Sequence, residues 1–225
     1  MFSHTSYLTR FMTLLIGFFM FSGPVLAGTH AKSSAKDERL RQIEELLSNL
    51  GYWVLKADGV ADSSTRHAII AFQKVEGLKR NGLASPGLLA ALQNASRPAA
   101  RLNTGAPHVE IDIGRQVLFL VDEAGTVVRI LPVSSGNERP YLESGKRQIA
   151  HTPRGSFKIY RQIKGVRHAP LGTLYYPNYF TGGVAIHGSD SVPATPASHG
   201  CVRIPRFAER ELSSLVWVGM EVDVY

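Results

Sequence analysis

Two regimes of hydrophobic spacing divide the chain. From Asp37 to Leu50, the residues Leu40, Ile43, Leu46, Leu47 and Leu50 recur every three or four positions, the period of one helix face. Gly51 follows, a residue suited to the left-handed position past a helix end. A turn at Asp58-Gly59 leads to Ser63 and Ser64, either of which would cap a second helix with Ala68, Ile69, Phe72 and Val75 on its apolar side and Gly77 at its end. Asn81-Gly82 turns the chain again. Ser85-Pro86, a capping residue with proline at the first helical position, opens a third helix through Leu92. Three short helices therefore occupy residues 37–94, with a small polar tether ahead of them at 28–36.

Residues 95–107 are Ala-, Arg- and Pro-containing without apolar periodicity, and read as a linker. Beyond them the period shortens to that of strands. Val109–Ile113, Gln116–Val121 and Thr126–Ile130 are β-rich runs separated by Gly114-Arg115 and Glu123-Ala124-Gly125. Further strands are expected at 156–162, 174–176, 184–187 and 220–225, and only 206–216 has a helical pattern. The expected fold is multidomain: a three-helix N-terminal module at 37–94 and a mostly β domain at 108–225, a curved sheet or sandwich.

The amino terminus adds a compartment. Arg10 precedes the apolar run Phe11–Phe21, Gly23-Pro24 breaks it, and Val25-Leu26-Ala27 offers residues that a signal peptidase reads, so residues 1–27 form an expected signal peptide cleaved after Ala27. Such a chain is exported, to the periplasm or the cell wall, and would meet a membrane only if that segment stayed uncleaved. The formal charge of +7 is scattered along the chain and forms no long basic run, which argues against nucleic acid as partner. A diffuse positive field suits an anionic cell envelope.

Cys201 changes the picture most. It is the only cysteine, so it cannot close an intramolecular disulfide. It lies in Ser198-His199-Gly200-Cys201-Val202-Arg203, downstream of Ile186-His187-Gly188. A thiol attacks as its thiolate and needs a base beside it. His187, at the end of an expected strand, can return to Cys201 across the Pro193- and Pro196-containing loop. Gly200 leaves room for substrate, and the nearby backbone amides can meet an oxyanion. Nucleophile, base and oxyanion donors together describe acyl transfer, with a rate expected to rise with pH. His187, His199 and Cys201 are also possible zinc ligands, but no paired metal-ligand spacing accompanies them. The other histidines considered, His67, His108, His151 and His168, read as surface or turn positions.

Leu50-Gly51-Tyr52, Asp58-Gly59, Thr65, Ala68-Ile69, Phe72-Gln73 and Gly77-Leu78 resemble the peptidoglycan-binding domain family of three-helix modules, with Ala61 and Asp62 departing from its usual aromatic and glycine. His187-Gly188 and Ser198–Arg203, with Thr152-Pro153-Arg154-Gly155-Ser156-Phe157 upstream, resemble the L,D-transpeptidase family of the YkuD type; the loop between His187 and Ser198 is shorter than in many members. That resemblance implies a YkuD-like β-sandwich acting without a cofactor on peptidoglycan stem peptides, with glycan as a second partner through the N-terminal module. It implies Cys201 as nucleophile, His187 as base and later acid, Gly188 as a backbone contact orienting His187, and the amides of His199, Gly200 and Cys201 as oxyanion donors. Arg203 would order the loop or meet a substrate carboxylate, Ser198 would hold the loop, and Tyr176, with Tyr175, Tyr179 and Phe180, would line the cleft. The product would be a 3–3 cross-link with loss of D-alanine, and carbapenem β-lactams would acylate Cys201. Water as acceptor would instead give an L,D-carboxypeptidase. A wall-binding protein with an inactive β domain is the non-enzymatic alternative.

Overall fold

The computed structural model describes Met1 and residues 28–225, with side chains of the first helix from Glu38 onward. The expected signal segment therefore lies, beyond Met1, outside the described residues. Among the described residues no helix is long and apolar enough to cross a membrane.

Helix α1 (Gly28–Asn49) starts well before the apolar period does, so residues 28–36 are helix and not a tether. This stretch contains Ala31, Lys32, Ala35 and Lys36 and no proline, a composition that extends a helix without an apolar face. Helix α2 (Ser63–Val75) is capped by Asp62, whose carboxylate accepts from Thr65 N at 2.8 Å, and not by Ser63 or Ser64. Ser64 instead donates to Asp62 and accepts from Leu55 N. Helix α3 (Pro86–Gln93) opens on Ser85, which accepts from Leu88 N, with proline in the first turn. Glu44 of α1 is buried and accepts from Thr65 Oγ1 (2.6 Å) and Gly59 N (2.9 Å), joining α1 to the Asp58-Gly59 turn and to α2.

The C-terminal half is two packed sheets. One contains β1 (His108–Asp112), β2 (Val117–Val121), β3 (Val127–Pro132), β6 (Gly155–Lys158) and β12 (Glu221–Val224), in the order β3-β2-β1-β12-β6 with only β1 and β12 parallel. The other contains β7 (Arg161–Gln162), β9 (Gly172–Thr181), β10 (Val184–Ser189) and β11 (Val202–Pro205), in the order β11-β10-β9-β7, with β8 (Val166–Ala169) also on β9. β10 and β11 run parallel. Helix α4 (Arg206–Leu215) packs on β9 and β10. A separate hairpin is formed by β4 (Pro140–Glu143) and β5 (Lys146–Ile149).

The expected strand at 156–162 is in fact two: the chain leaves the first sheet after Lys158, buries Ile159, and joins the second sheet at Arg161. Between the sheets lie Val109, Ile111, Leu118, Leu120 and Leu131 from one side and Phe180, Ile186, Val202 and Ile204 from the other, closed by Ala208 and Leu212 of α4. The opposite face of the first sheet is also covered. Val117, Phe119, Val121, Val127 and Ile130 share a core with Ile43, Leu47, Tyr52, Ile69, Phe72 and Leu92 of the helical module. β2 is apolar at every position because both its faces are buried.

The connecting segment is held down along its length. Arg97 donates to the carbonyls of Val127 and Asn49, and the Arg101 and Leu102 amides donate to the buried Glu110 carboxylate. His108, expected at a surface or turn, is buried with its Nε2 3.2 Å from Glu110, because the linker covers the strand that carries it.

Candidate active site

β10 and β11 build the site by lying side by side. Their parallel register pairs His187 with Arg203, which leaves Cys201 at the mouth of β11, one step before Val202 meets Ile186. His187 and Cys201 both line a cleft of about 650 Å³, together with Tyr141, His151, Arg203 and His199. A smaller cleft of about 320 Å³, lined among others by Arg161, Arg167 and Tyr179, also reaches Cys201. The thiol therefore sits where two clefts meet.

The His187 ring is buried, and its Nδ1 lies 2.8 Å from Gly188 O. A carbonyl only accepts, so in the neutral ring Nδ1 carries the proton and Nε2 keeps a lone pair. Burial pushes the imidazole down to about 4; the Gly188 carbonyl opposes this and the Arg203 charge adds to it. Burial likewise pushes the Cys201 thiol above its ordinary value, partly offset by the Ala185 amide and Arg203. The thiol points to Gly183 O at 3.7 Å. Nucleophile and base are thus both neutral in the resting protein at neutral pH.

Glycines provide the room. A Cβ on Gly188 would lie 1.9 Å from Oε2 of Glu209, whose buried carboxylate reaches under the strand toward Arg206 (2.7 Å). Gly200 has φ +140°, and a Cβ there would lie 2.9 Å from His151 O.

The loop before Cys201 is fixed from within and from behind. Ser198 Oγ donates to Cys201 O (2.5 Å) and accepts from Gly200 N (3.0 Å). In this structure the Gly200 amide, expected to face an oxyanion, has Ser198 as its partner. The His199 and Cys201 amides make no hydrogen bond to another described residue. Thr152, buried at the start of the Thr-Pro-Arg-Gly-Ser-Phe segment, donates to Gly200 O (2.6 Å) and accepts from Gly136 N (2.9 Å).

The remaining expected positions separate. Arg203 reaches the larger cleft and has no acidic partner among the described residues. The exposed His199 ring lies against Tyr141 of the β4–β5 hairpin, with centroids 4.7 Å apart and planes tilted by 57°. Tyr176 lies outside both clefts, on left-handed backbone (φ +50°) with its amide on Gly165 O. Its neighbour Tyr175 faces the larger cleft instead. Phe180 belongs to the inter-sheet core. His151 is exposed, as expected, and lines the larger cleft with its Nδ1 2.9 Å from Glu138. Among the described residues no three His, Cys, Asp or Glu side chains converge as a metal-ligand set. Thr152 stands in a recognised segment that gives it no role; its burial, and the arrival of Tyr141 from a distant hairpin, have no signal in the local pattern.

Residues 106–224 match the family model of the L,D-transpeptidase catalytic domain (YkuD), and residues 36–92 match that of a putative peptidoglycan binding domain. Among solved structures, the L,D-transpeptidase (residues 123–326) of Xylanimonas cellulosilytica is 40% identical with a TM-score of 0.76, over 83% of this chain and 92% of that one. The L,D-transpeptidase of Stackebrandtia nassauensis is 23% identical with a TM-score of 0.49, over 84% of this chain and 91% of that one. The search of curated proteins returned no match. Since the catalytic-domain match takes in more than half of the chain and the Xylanimonas enzyme aligns along both the helical module and the β domain, the chain belongs to the L,D-transpeptidase (YkuD) family.

Proposed function

We propose that this enzyme forms 3–3 cross-links in peptidoglycan through a thioester on Cys201, acting outside the cytoplasm after removal of residues 1–27. The meeting of two clefts at one thiol carries the reading, because a transpeptidase must admit a donor stem and then an acceptor stem to the same acyl group. In the first half-reaction Cys201 gives its proton to His187 Nε2 and attacks the carbonyl of the diamino residue at stem position three. The His199 and Cys201 amides take the oxyanion; one such donor is worth about 3–4 kcal/mol of barrier in comparable sites. The bond to D-alanine breaks, and the imidazolium returns the proton to its amine. In the second half-reaction an acceptor amine attacks the thioester and gives its proton to His187 Nε2, and Cys201 leaves as thiolate and takes that proton back from the imidazolium. Arg203, free of any acidic partner among the described residues, suits a stem carboxylate. Gly188 orients His187 through its carbonyl, and Ser198 holds the loop. The helical module supplies a contact to glycan, and no cofactor enters the chemistry.

Mass spectrometry of the protein incubated with disaccharide-tetrapeptide tests this against Cys201→Ala. The expected product is a dimer short of one D-alanine, absent with the variant. Tripeptide alone would replace the transpeptidase by a carboxypeptidase. No product from either protein, with insoluble peptidoglycan still bound, would leave the wall-binding reading. A carbapenem is expected to leave a covalent adduct on Cys201 and none on the variant.

A further inference from the structure

Lys74 is a lysine that the catalytic scheme does not use. It sits in the last turn of α2, is 1% exposed, and extends out of the helical module into the β domain. Its ammonium donates to Val133 O at 2.8 Å and Gln116 O at 3.0 Å, and no carboxylate pairs with it among the described residues. Burial, with the Arg80 charge adding to it, pushes it down to about 7. A cation hidden this way is an expensive means of holding a helix and a sheet together when apolar contacts already do so.

The two serines after Val133 give the lysine a purpose. Ser134 exchanges both backbone hydrogen bonds with Arg203, each 3.1 Å, and its hydroxyl donates to Thr195 O at 2.9 Å. Ser135 O accepts from the Ala197 and Ser198 amides, at 3.0 and 2.9 Å. Ser135 is in turn held by Gln116, whose side-chain oxygen accepts from Ser135 N (2.9 Å) and whose amide donates to Ser135 Oγ (2.7 Å). Gln116 adopts φ +63°, a backbone state that a non-glycine residue keeps only where its surroundings hold it. Lys74 thus grips both residues, Gln116 and Val133, that set the position of Ser135, and Ser135 is the backing of the segment ending in Cys201. A second module residue reaches the same segment: Arg80 donates to Ala194 O at 3.3 Å.

We infer that Lys74 is a positioning residue for the Cys201 loop, so that the docked helical module is part of the catalytic unit as well as a contact to the wall. The catalytic arm of this inference rests on the proposed transpeptidase reaction; its structural arm does not.

The test compares Lys74→Met, close in volume, with Leu92→Ala, which weakens the module core without touching the relay. Hydrogen exchange at the Ala197 and Ser198 amides reads the loop, and kcat and KM on disaccharide-tetrapeptide read the reaction. For Lys74→Met, exchange at both amides is expected to quicken, and kcat to fall, by about tenfold each, with KM little changed. Leu92→Ala is expected to lower Tm while keeping both at wild-type values. If Lys74→Met leaves exchange at Ala197 and Ser198 unchanged, or if Leu92→Ala at matched Tm loss lowers kcat equally, the inference is overturned. Should Lys74→Met not fold, Gln116→Gly suits the left-handed backbone while cutting the link to Ser135. The same gain in exchange and loss of kcat are expected there, and wild-type values for both would overturn the relay. Wild-type protein inactive on stem peptides would defeat the functional reading alone, because the exchange comparison still decides the role of Lys74.

Discussion

A Cys-His pair is commonly pictured as an ion pair at rest, and the environment of Cys201 and His187 opposes that. Burial raises the thiol and lowers the imidazole, so both shifts favour the uncharged forms, and the thiolate must be made during attack. Below the raised thiol value, each pH unit multiplies the thiolate fraction by about ten, so alkylation of Cys201 by iodoacetamide should still be climbing at pH 9. A resting ion pair would instead depress the thiol and hold alkylation on a plateau through neutrality, ending only where the imidazolium loses its proton. Such a plateau would show that His187 is charged in the free enzyme. Gly188 is the second residue whose chemistry is decided by space. An added methyl would overlap the Glu209 carboxylate at 1.9 Å, in a buried strand that cannot yield without moving His187. Gly188→Ala should therefore destabilise the protein by about 1–3 kcal/mol and reduce carbapenem acylation in the surviving folded fraction. Unaltered Tm and acylation would mean that Glu209 swings away freely.

At the level of elements, the loop before Cys201 takes its shape from pieces distant in sequence. Thr152 bridges Gly136 N and Gly200 O from a segment that precedes β6, and among the described residues it is the only side chain bonded to that carbonyl. Thr152→Val keeps the shape and removes both bonds, leaving a buried amide without an acceptor, a loss of about 1–3 kcal/mol. We expect lowered stability together with slower acylation at a temperature where the variant is folded; slower acylation without any change in Tm would place Thr152 in contact with substrate instead. These elements also show what local pattern reveals. The apolar period of α1 from Leu40, the Ser85-Pro86 start of α3 and the β-rich runs of β1 to β3 are local signals, and they appear in the structure. The β4–β5 hairpin carries no such signal, because its strands are largely exposed and polar, and it turns at Ser144-Gly145, both with positive φ. β11 is hidden inside the motif itself, where Val202 to Pro205 read as chemistry and not as strand. His108 departs from its expected surface position because its burial under the linker depends on what arrives from elsewhere in the chain, whereas His151 is exposed as expected and also lines the cleft.

For the whole molecule, the centre of the first sheet, at β1 and β2, has no free face. One side packs on the second sheet and the other on the helical module, so the module replaces solvent over Val117, Phe119, Val121, Val127 and Ile130. A loose linker would let the two halves act separately, but here its amides are bound to Glu110 and Arg97 ties it to both ends. Backbone contacts reinforce the union: Trp53 N donates to Ile130 O, and Ile130 N donates to Gly51 O. Each large apolar side chain uncovered by removing the module forfeits about 1.5–3 kcal/mol, which for the Phe119 cluster approaches the net stability of a domain. A chain beginning at residue 108 is therefore expected to aggregate or to melt well below the full-length protein, and the intact protein to unfold in one thermal transition without a separate melting of the helices. Calorimetry of both chains decides it. Two resolved transitions in the full chain, or a truncated domain with unchanged Tm, would mean that the shared core contributes little and that module and catalytic domain are energetically independent.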